Sequence, residues 1–245
     1  MPTTSGPRDA GRYAAVAPHS RSAEDAGLGA TVDVRVLRVS AHADEAARDL
    51  PFLSEEEKAR AAAFRLRADR DRYRVAHTAL RRELAARLGG TPSAVTLVRA
   101  GCPLCGGPHG RPSLPGDPLH FSLSHAGDLV LLAFASTPVG VDVEEHPELR
   151  LATEVAGALH TREQAELAAL AEPRRPAAFA RCWTRKEAYL KGTGTGLGED
   201  PSVTYVGTAG APVPPPGWRI SDIEVPAGYA AASAHKIDHP DPQDG

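Results

Sequence analysis

Val32, Val34 and Val36 alternate with Asp33 and Arg35, the period of a half-buried strand. Ser54-Glu55-Glu56-Glu57 has Ser at an N-cap position and Glu at N3, a capping box in which each side chain satisfies the other's amide. A long Arg-rich helical stretch follows, with a break predicted near Ala68-Asp69 and an end at Gly89-Gly90. Residues 100–118 are a Gly/Pro/Cys loop. Leu129 to Ala135 is a continuous apolar run of strand length, and Val139, Val141 and Val143 then alternate with Gly140, Asp142 and Glu144. Thr161 with Gln164 predicts a second capping box and a helix ending before Pro173. Pro176 suits the first residue of the next helix, which Gly192 and Gly194 should end. Further strand signals lie at 203–206, 218–225 and 228–234. The order is strand, helices, strands, twice over. It predicts an α+β fold of two halves, residues 31–137 and 138–237, joined near Thr137-Pro138, with no internal repeat at the residue level. Residues 1–30 and 238–245 lack periodicity and read as disordered tails, the first of them removable.

Composition narrows the picture. Apolar residues make up 42% of the 245, enough for a real core. A net charge of −3 gives no bulk attraction to nucleic acid, so any anion site must be a local cluster. No apolar run approaches the roughly 18 residues of a membrane span, and the N-terminus has no apolar leader. Three cysteines are too few for a disulfide framework and fit a reducing compartment, so the chain reads as cytoplasmic; a monomer is expected. Only four of the 28 basic residues are lysines: Lys58, Lys186, Lys191 and Lys236. GC-rich coding accounts for the Arg excess in general, but a retained Lys can mark a need for a compact point charge.

Four clusters could carry chemistry. Asp142 and Glu144 point to one strand face, roughly 7 Å apart at Cα, where two carboxylates can hold a hard cation. The plain alternative is a solvated acidic face. On a helix, Phe179, Trp183 and Leu190 share the core stripe, while Glu187 and Lys191 are neighbours on its flank, in the bland case an ordinary Glu–Lys pair. Lys186 projects near the apolar stripe, so it either snorkels to water or points into a site. Ser124-His125 ahead of Gly127 can donate to a phosphate, or is turn chemistry; no Gly-x-Ser-x-Gly elbow supports a serine hydrolase. Cys102, Cys105 and His109 offer three zinc ligands, but a structural site wants four. A tight loop with buried thiols, dispensable for activity, is the expectation.

Taken in order, Gly-Arg-Pro (110–112), Phe-Ser-Leu-Ser-His (121–125), Gly-Val-Asp-Val-Glu (140–144) and Trp-Thr-Arg-Lys-Glu-Ala-Tyr-Leu-Lys-Gly-Thr-Gly-Thr-Gly-Leu (183–197) resemble the phosphopantetheinyl transferases of the surfactin-synthetase type. The resemblance runs from about Val32 to His235, loosest in its first third. It implies a pseudo-dimer of two similar α+β halves with coenzyme A in the cleft between them. It implies transfer of 4'-phosphopantetheine from coenzyme A to a serine of apo acyl or peptidyl carrier proteins, with release of adenosine 3',5'-bisphosphate. Asp142, Glu144 and Glu187 fall on the family's Mg²⁺-binding acids, and Lys186 and Lys191 on basic residues near the pyrophosphate. Ser124 and His125 fall on phosphate contacts. Arg111 replaces the more usual Lys of Gly-Lys-Pro and can still pair a phosphate. Arg60 is the best match for the 3'-phosphate cation; Arg67 and Arg72 are weaker ones. The serine's base is Glu187 or a water held by Glu144, with Lys191 assisting the leaving phosphate. Two rivals stand beside this: a Mg²⁺-dependent phosphodiesterase or nuclease, and a silent coenzyme A-binding module.

Overall fold

The computed structural model describes residues 31–237; both expected tails lie outside the described residues. The chain is mixed α and β. It runs β1 (Asp33–Arg38), α1 (Val39–Arg48), α2 (Glu55–Ala63), α3 (Arg67–Leu88), β2 (Val98–Arg99), β3 (Pro112–Ser113), β4 (His120–Ala126) and β5 (Leu129–Ala135). It then runs β6 (Val139–Glu145), α4 (Leu149–Val155), α5 (Thr161–Ala169), α6 (Arg175–Thr193), β7 (Trp218–Asp222) and β8 (Tyr229–Lys236).

One antiparallel sheet has the order β1-β5-β4 and a second the order β6-β8-β7. In both, the first strand pairs with the last and the penultimate strand takes the far edge. Every residue of β5 is buried, which is why its sequence is a continuous apolar run rather than an alternation. Val130, Leu132 and Phe134 enter a core with Val75, Ala79 and Leu80 of α3. Leu129, Leu131, Ala133 and Ala135 enter a different core with Val139, Val141 and Val143 of β6. The second sheet's other face packs on α6 through Ala232, Ala234 and Phe179. The two sheets also meet at β4 and β6, where the Ser122 and Ser124 hydroxyls accept from the Val141 and Val143 amides at 3.0 and 3.4 Å.

Local chemistry explains most boundaries. Ser54 and Glu57 form the predicted capping box, and α3 ends on Gly89 in the left-handed region, φ 70°. The helix break falls at residues 64–66, earlier than the predicted Ala68-Asp69; Phe64 turns extended there and its ring lies 5.5 Å from that of Tyr73. The second capping box sits one residue earlier than predicted, at His160 and Glu163, because His160 Nδ1 accepts from the Arg162 amide at 3.1 Å. Gln164 instead donates to the Leu159 carbonyl at 2.8 Å. Residues 203–206 form no strand. Helix α1 has no sequence signal of its own beyond Ala content. Gly194, φ 82°, ends α6, whereas Gly192 lies inside it. A Cβ on Gly192 would stand 2.6 Å from the Trp218 ring, and one on Gly140 would stand 1.9 Å from the Ala188 carbonyl oxygen. Glycine at these two positions lets β6 and α6 touch backbone to backbone.

Candidate functional site

That close approach sets the acids against the helix. The valines of β6 face the shared core, so Gly140, Asp142 and Glu144 face α6, which presents Glu187 and Lys191 from its flank. Asp142 is 2% exposed. Its Oδ1 accepts from Lys191 Nζ at 2.6 Å and from Ser124 Oγ at 2.7 Å, and Lys191 Nζ also lies 3.1 Å from Ser124 Oγ. Its Oδ2 is buried and has no hydrogen-bond partner among the described residues. Burial raises the Asp142 pKa while Lys191 and Ser124 pull it down. Burial, Asp142, Glu187 and Glu145 push Glu144 up to about 7 against the opposing charge of Lys191. Glu187 is raised by burial and by Asp142. The three carboxyls therefore repel one another around one ammonium.

This arrangement fits a divalent cation. Mg²⁺ needs only one or two protein carboxylates, with phosphate oxygens and waters completing its shell. The orphaned Asp142 Oδ2 is a lone pair already stripped of water, and a second positive charge would relieve the crowding of Glu144 and Glu187. The ligand oxygens of the three acids are not yet gathered about one point. Among the described residues, the only group of three or more His, Cys, Asp or Glu whose ligand atoms all lie within 4.8 Å of one another is Cys102, Cys105 and His109.

Beside the acids opens a cavity of about 1150 Å³. Its walls come from α2, α3, the 95–111 loop and β4 on one side and from the end of α6 and the Gly194–Gly196 turn on the other. Arg60, Arg111, His125 and Lys191 all line it. Arg60 is exposed and makes no ion pair among the described residues. Arg111 donates to the Gly192 carbonyl at 2.7 Å and meets His120 Nδ1 at 3.1 Å, so it ties the 95–111 loop to α6. Burial lowers the His125 pKa, helped by Arg72, His77 and Lys191. Asp142, Glu144 and Glu187 do not line the cavity; Lys191 belongs both to the cavity wall and to the acid cluster.

The remaining expected residues are placed elsewhere. Ser124 spends its hydroxyl on Asp142 and the Val143 amide and is absent from the cavity wall, where Ser122 and His125 stand. Lys186 neither snorkels nor enters the cavity. It is 2% exposed, with Nζ 2.7 Å from Glu163 Oε2 and donating to the Thr204 carbonyl. Arg67 pairs with Asp71 at 3.1 Å, and Arg72 donates to the Gly127 carbonyl at 2.9 Å; both lie outside the cavity wall. Sequence reasoning missed Arg185, which is fully buried and binds Asp222 through two nitrogens, at 2.7 and 2.6 Å, and the Gly207 carbonyl at 2.8 Å. It also missed His77 and Arg81, which hold Glu57 in the cavity wall. Nothing in the local pattern marks any of these three, because their partners are distant in sequence.

Residues 138–221 match the model of the 4'-phosphopantetheinyl transferase superfamily. Among curated proteins, the 4'-phosphopantetheinyl transferase Sfp of Bacillus subtilis (strain 168) is 34% identical over 91 residues, 36% of this chain and 40% of that protein. The 4'-phosphopantetheinyl transferase psf-1 of Bacillus pumilus is 30% identical over 148 residues, 60% of each chain. The 4'-phosphopantetheinyl transferase HetI of Nostoc sp. is 30% identical over 178 residues, 70% of this chain and 73% of that protein. The chain belongs to the 4'-phosphopantetheinyl transferase superfamily. It spans less than two thirds of the length of Sfp and psf-1. The segment matching the superfamily model runs from β6 to β7 and contains Asp142, Glu144, Glu187 and Lys191; Arg60, Arg111 and His125 lie outside it.

Proposed function

We propose that this superfamily member transfers the 4'-phosphopantetheine group of coenzyme A to a serine of apo acyl or peptidyl carrier proteins, releasing adenosine 3',5'-bisphosphate. The observation that carries this is the position of Lys191: a cavity lined by cations ends on the same ammonium that neutralises a buried carboxylate cluster. A substrate with several phosphates and a reacting pyrophosphate needs that juxtaposition. The matching strand orders on either side of Thr137-Pro138 support reading the molecule as a pseudo-dimer, with coenzyme A in the cavity between its halves.

In this reading Arg60 takes the 3'-phosphate, and His125, Arg111 and Lys191, which line the same cavity, take the pyrophosphate. Asp142, Glu144 and Glu187 hold Mg²⁺, which when bound offsets phosphate charge and orients the attack. Ser124 fixes the Asp142 carboxylate rather than touching a phosphate. The carrier serine's proton passes to Glu187 or to a water at Glu144; burial raises the pKa of both carboxyls, that of Glu144 to about 7. Lys191 moves from Asp142 to the leaving phosphate. Most of the acceleration is then positioning and electrostatics. Carriers of polyketide, nonribosomal peptide or fatty acid synthesis present the same serine chemistry, and the protein is read as a cytoplasmic monomer. Among the described residues no helix is long and apolar enough to cross a membrane.

The test is mass spectrometry of an apo carrier protein incubated with this chain, coenzyme A and Mg²⁺. The carrier should gain one phosphopantetheine, and Asp142→Ala and Glu144→Ala should each abolish the gain at saturating Mg²⁺ while their circular dichroism stays unchanged. Coenzyme A cleaved with the carrier unmodified would establish a phosphodiesterase instead; coenzyme A bound and left intact would establish a silent binding module.

A further inference from the structure

The loop from Gly101 to Arg111 forms part of the cavity wall and folds into a tight turn. The Cys102 amide donates to the Gly107 carbonyl at 2.7 Å, and the Gly106 amide donates back to the Cys102 carbonyl at 2.7 Å. Gly106 turns the chain at φ 75°. The His109 amide donates to the Gly107 carbonyl at 2.9 Å, which brings the imidazole back over the turn, with Nε2 3.0 Å from Cys105 Sγ. A Cβ on Gly107 would stand 3.0 Å from His109 Cδ2, 3.1 Å from its Nε2 and 3.3 Å from Cys105 Sγ. Glycine there leaves room for the thiol and the imidazole to face each other.

We propose that Cys102 Sγ, Cys105 Sγ and His109 Nε2 bind a zinc ion, with solvent in the fourth position. All three ligand atoms lie within 4.8 Å of one another. Soft thiolates with one imidazole select zinc over the hard, oxygen-seeking Mg²⁺ of the acid cluster. With ordinary Zn–S and Zn–N bonds at a tetrahedral angle the sulfur and nitrogen stand about 3.5 Å apart, so metal entry opens the Cys105–His109 pair by about half an ångström. Binding releases the two thiol protons to solvent and leaves His109 neutral. Cys102 is buried while Cys105 and His109 are exposed, so the open position faces water. The expected buried thiols hold for Cys102 but not for Cys105, which is exposed.

The ion would hold the rim of the cavity. Pro103 lies 3.9 Å from where a Cβ on Gly194 would sit, and Leu104 lies 3.0 Å from the corresponding point on Gly198. The metal turn therefore leans on the segment after α6, and Arg111 follows His109 by two residues. Zinc clamps the loop from which Arg111 reaches the Gly192 carbonyl.

The experiment needs neither coenzyme A nor a carrier, so its outcome is separate from that of the transferase test. The full chain is purified in reductant without chelator or added metal, and zinc is measured by elemental analysis. The expected result is about one zinc per chain, falling at least tenfold in Cys105→Ser and in His109→Ala. Both sites are exposed, so these variants keep their fold. As a second arm, Co²⁺ titrated into chelator-stripped chain should produce thiolate-to-cobalt charge-transfer absorption in the parent and not in Cys105→Ser. Absence of zinc together with absence of that absorption overturns the proposal. So does metal retained equally by the variants, or a Cys102–Cys105 disulfide that persists in reductant.

Discussion

Glu57 at the start of α2 and Glu163 at the start of α5 occupy the same place in two successive strand–helix–strand units. Each is the N3 residue of a capping box. Each then reaches a cation on the next long helix, at nearly the same separation along the chain: Arg81 Nε at 2.7 Å from Glu57, and Lys186 Nζ at 2.7 Å from Glu163. Each cation in turn donates to loop carbonyls, Arg81 to Val95 at 2.9 Å and Lys186 to Thr204. The surroundings differ. Glu57 and Arg81 stand in the cavity wall with His77, whose ring stacks on Tyr73 at 4.0 Å. Glu163 is 0% exposed and lies away from the cavity, its Oε1 accepting from the Val206 amide at 2.7 Å. The same device occurs twice, once buried away from the cavity and once in its wall. A buried cation in a functional motif is thus no sign of ligand contact until its partner is known.

That contrast can be broken most forcefully in the C-terminal unit. Glu163→Ala strands an ammonium and two amides in the interior, and losing one partner of a buried pair costs about 3–5 kcal/mol. Chemical denaturation should show this loss, and Lys186→Met should also unfold more easily; if the chain is the proposed transferase, its apparent affinity for coenzyme A stays at the parent value. A large rise in KM for coenzyme A with unchanged stability would instead return Lys186 to the pyrophosphate.

The N-terminal counterpart should show a smaller and pH-dependent loss. Burial raises the Glu57 pKa, but hydrogen bonds from His77, the Ser54 amide and Arg81, with the Arg81 charge, hold it at about 2. A carboxyl depressed from the usual 4.5 to about 2 contributes stability that is full above the unfolded value and lost as pH falls toward the folded one. The span is worth roughly 3 kcal/mol as an upper figure. Denaturation midpoints of the parent should fall between pH 5 and pH 3 more steeply than those of Glu57→Gln. Equal slopes would show that the wall pair is not holding the fold.

On α6 itself, Lys186 serves the core and Lys191 the cavity, so the same substitution should separate them. Lys191 meets Asp142 Oδ1 and Ser124 Oγ with one nitrogen, whereas Arg presents a planar fork. If the chain is the proposed transferase, Lys191→Arg lowers kcat about tenfold, or about 1.4 kcal/mol, with a smaller change in coenzyme A binding. Turnover equal to the parent would reduce Lys191 to a neutralising charge for Asp142. The smallest effect should come from the caps. Ser54→Ala removes a hydroxyl that accepts from the Glu57 amide at 3.2 Å and should cost about 1 kcal/mol in denaturation.

The sequence by itself determined the pieces whose cause is local. Alternating valines made β6 a strand with Asp142 and Glu144 on one face, a continuous apolar run made β5 a strand buried on both, and Gly89 and Gly194 ended the long helices. The ordered motifs carried the family. What tertiary structure decided was which charged residue meets which. Period and propensity say where a side chain leaves its element, not what another element brings to it 20 or 50 residues away. Lys186 and Lys191 lie five apart on one helix, yet one is bonded to α5 and the other to β6. Ser124 was legible as a polar residue beside a His ahead of a Gly turn, but its duty to Asp142 exists only because β4 lies against β6. Arg185 looked like any helix cation until β7 and the turn at Gly207 closed over it. Long-range pairing of buried charge is fixed by the packing of whole elements, and that packing is where the core of this molecule and its candidate site part company.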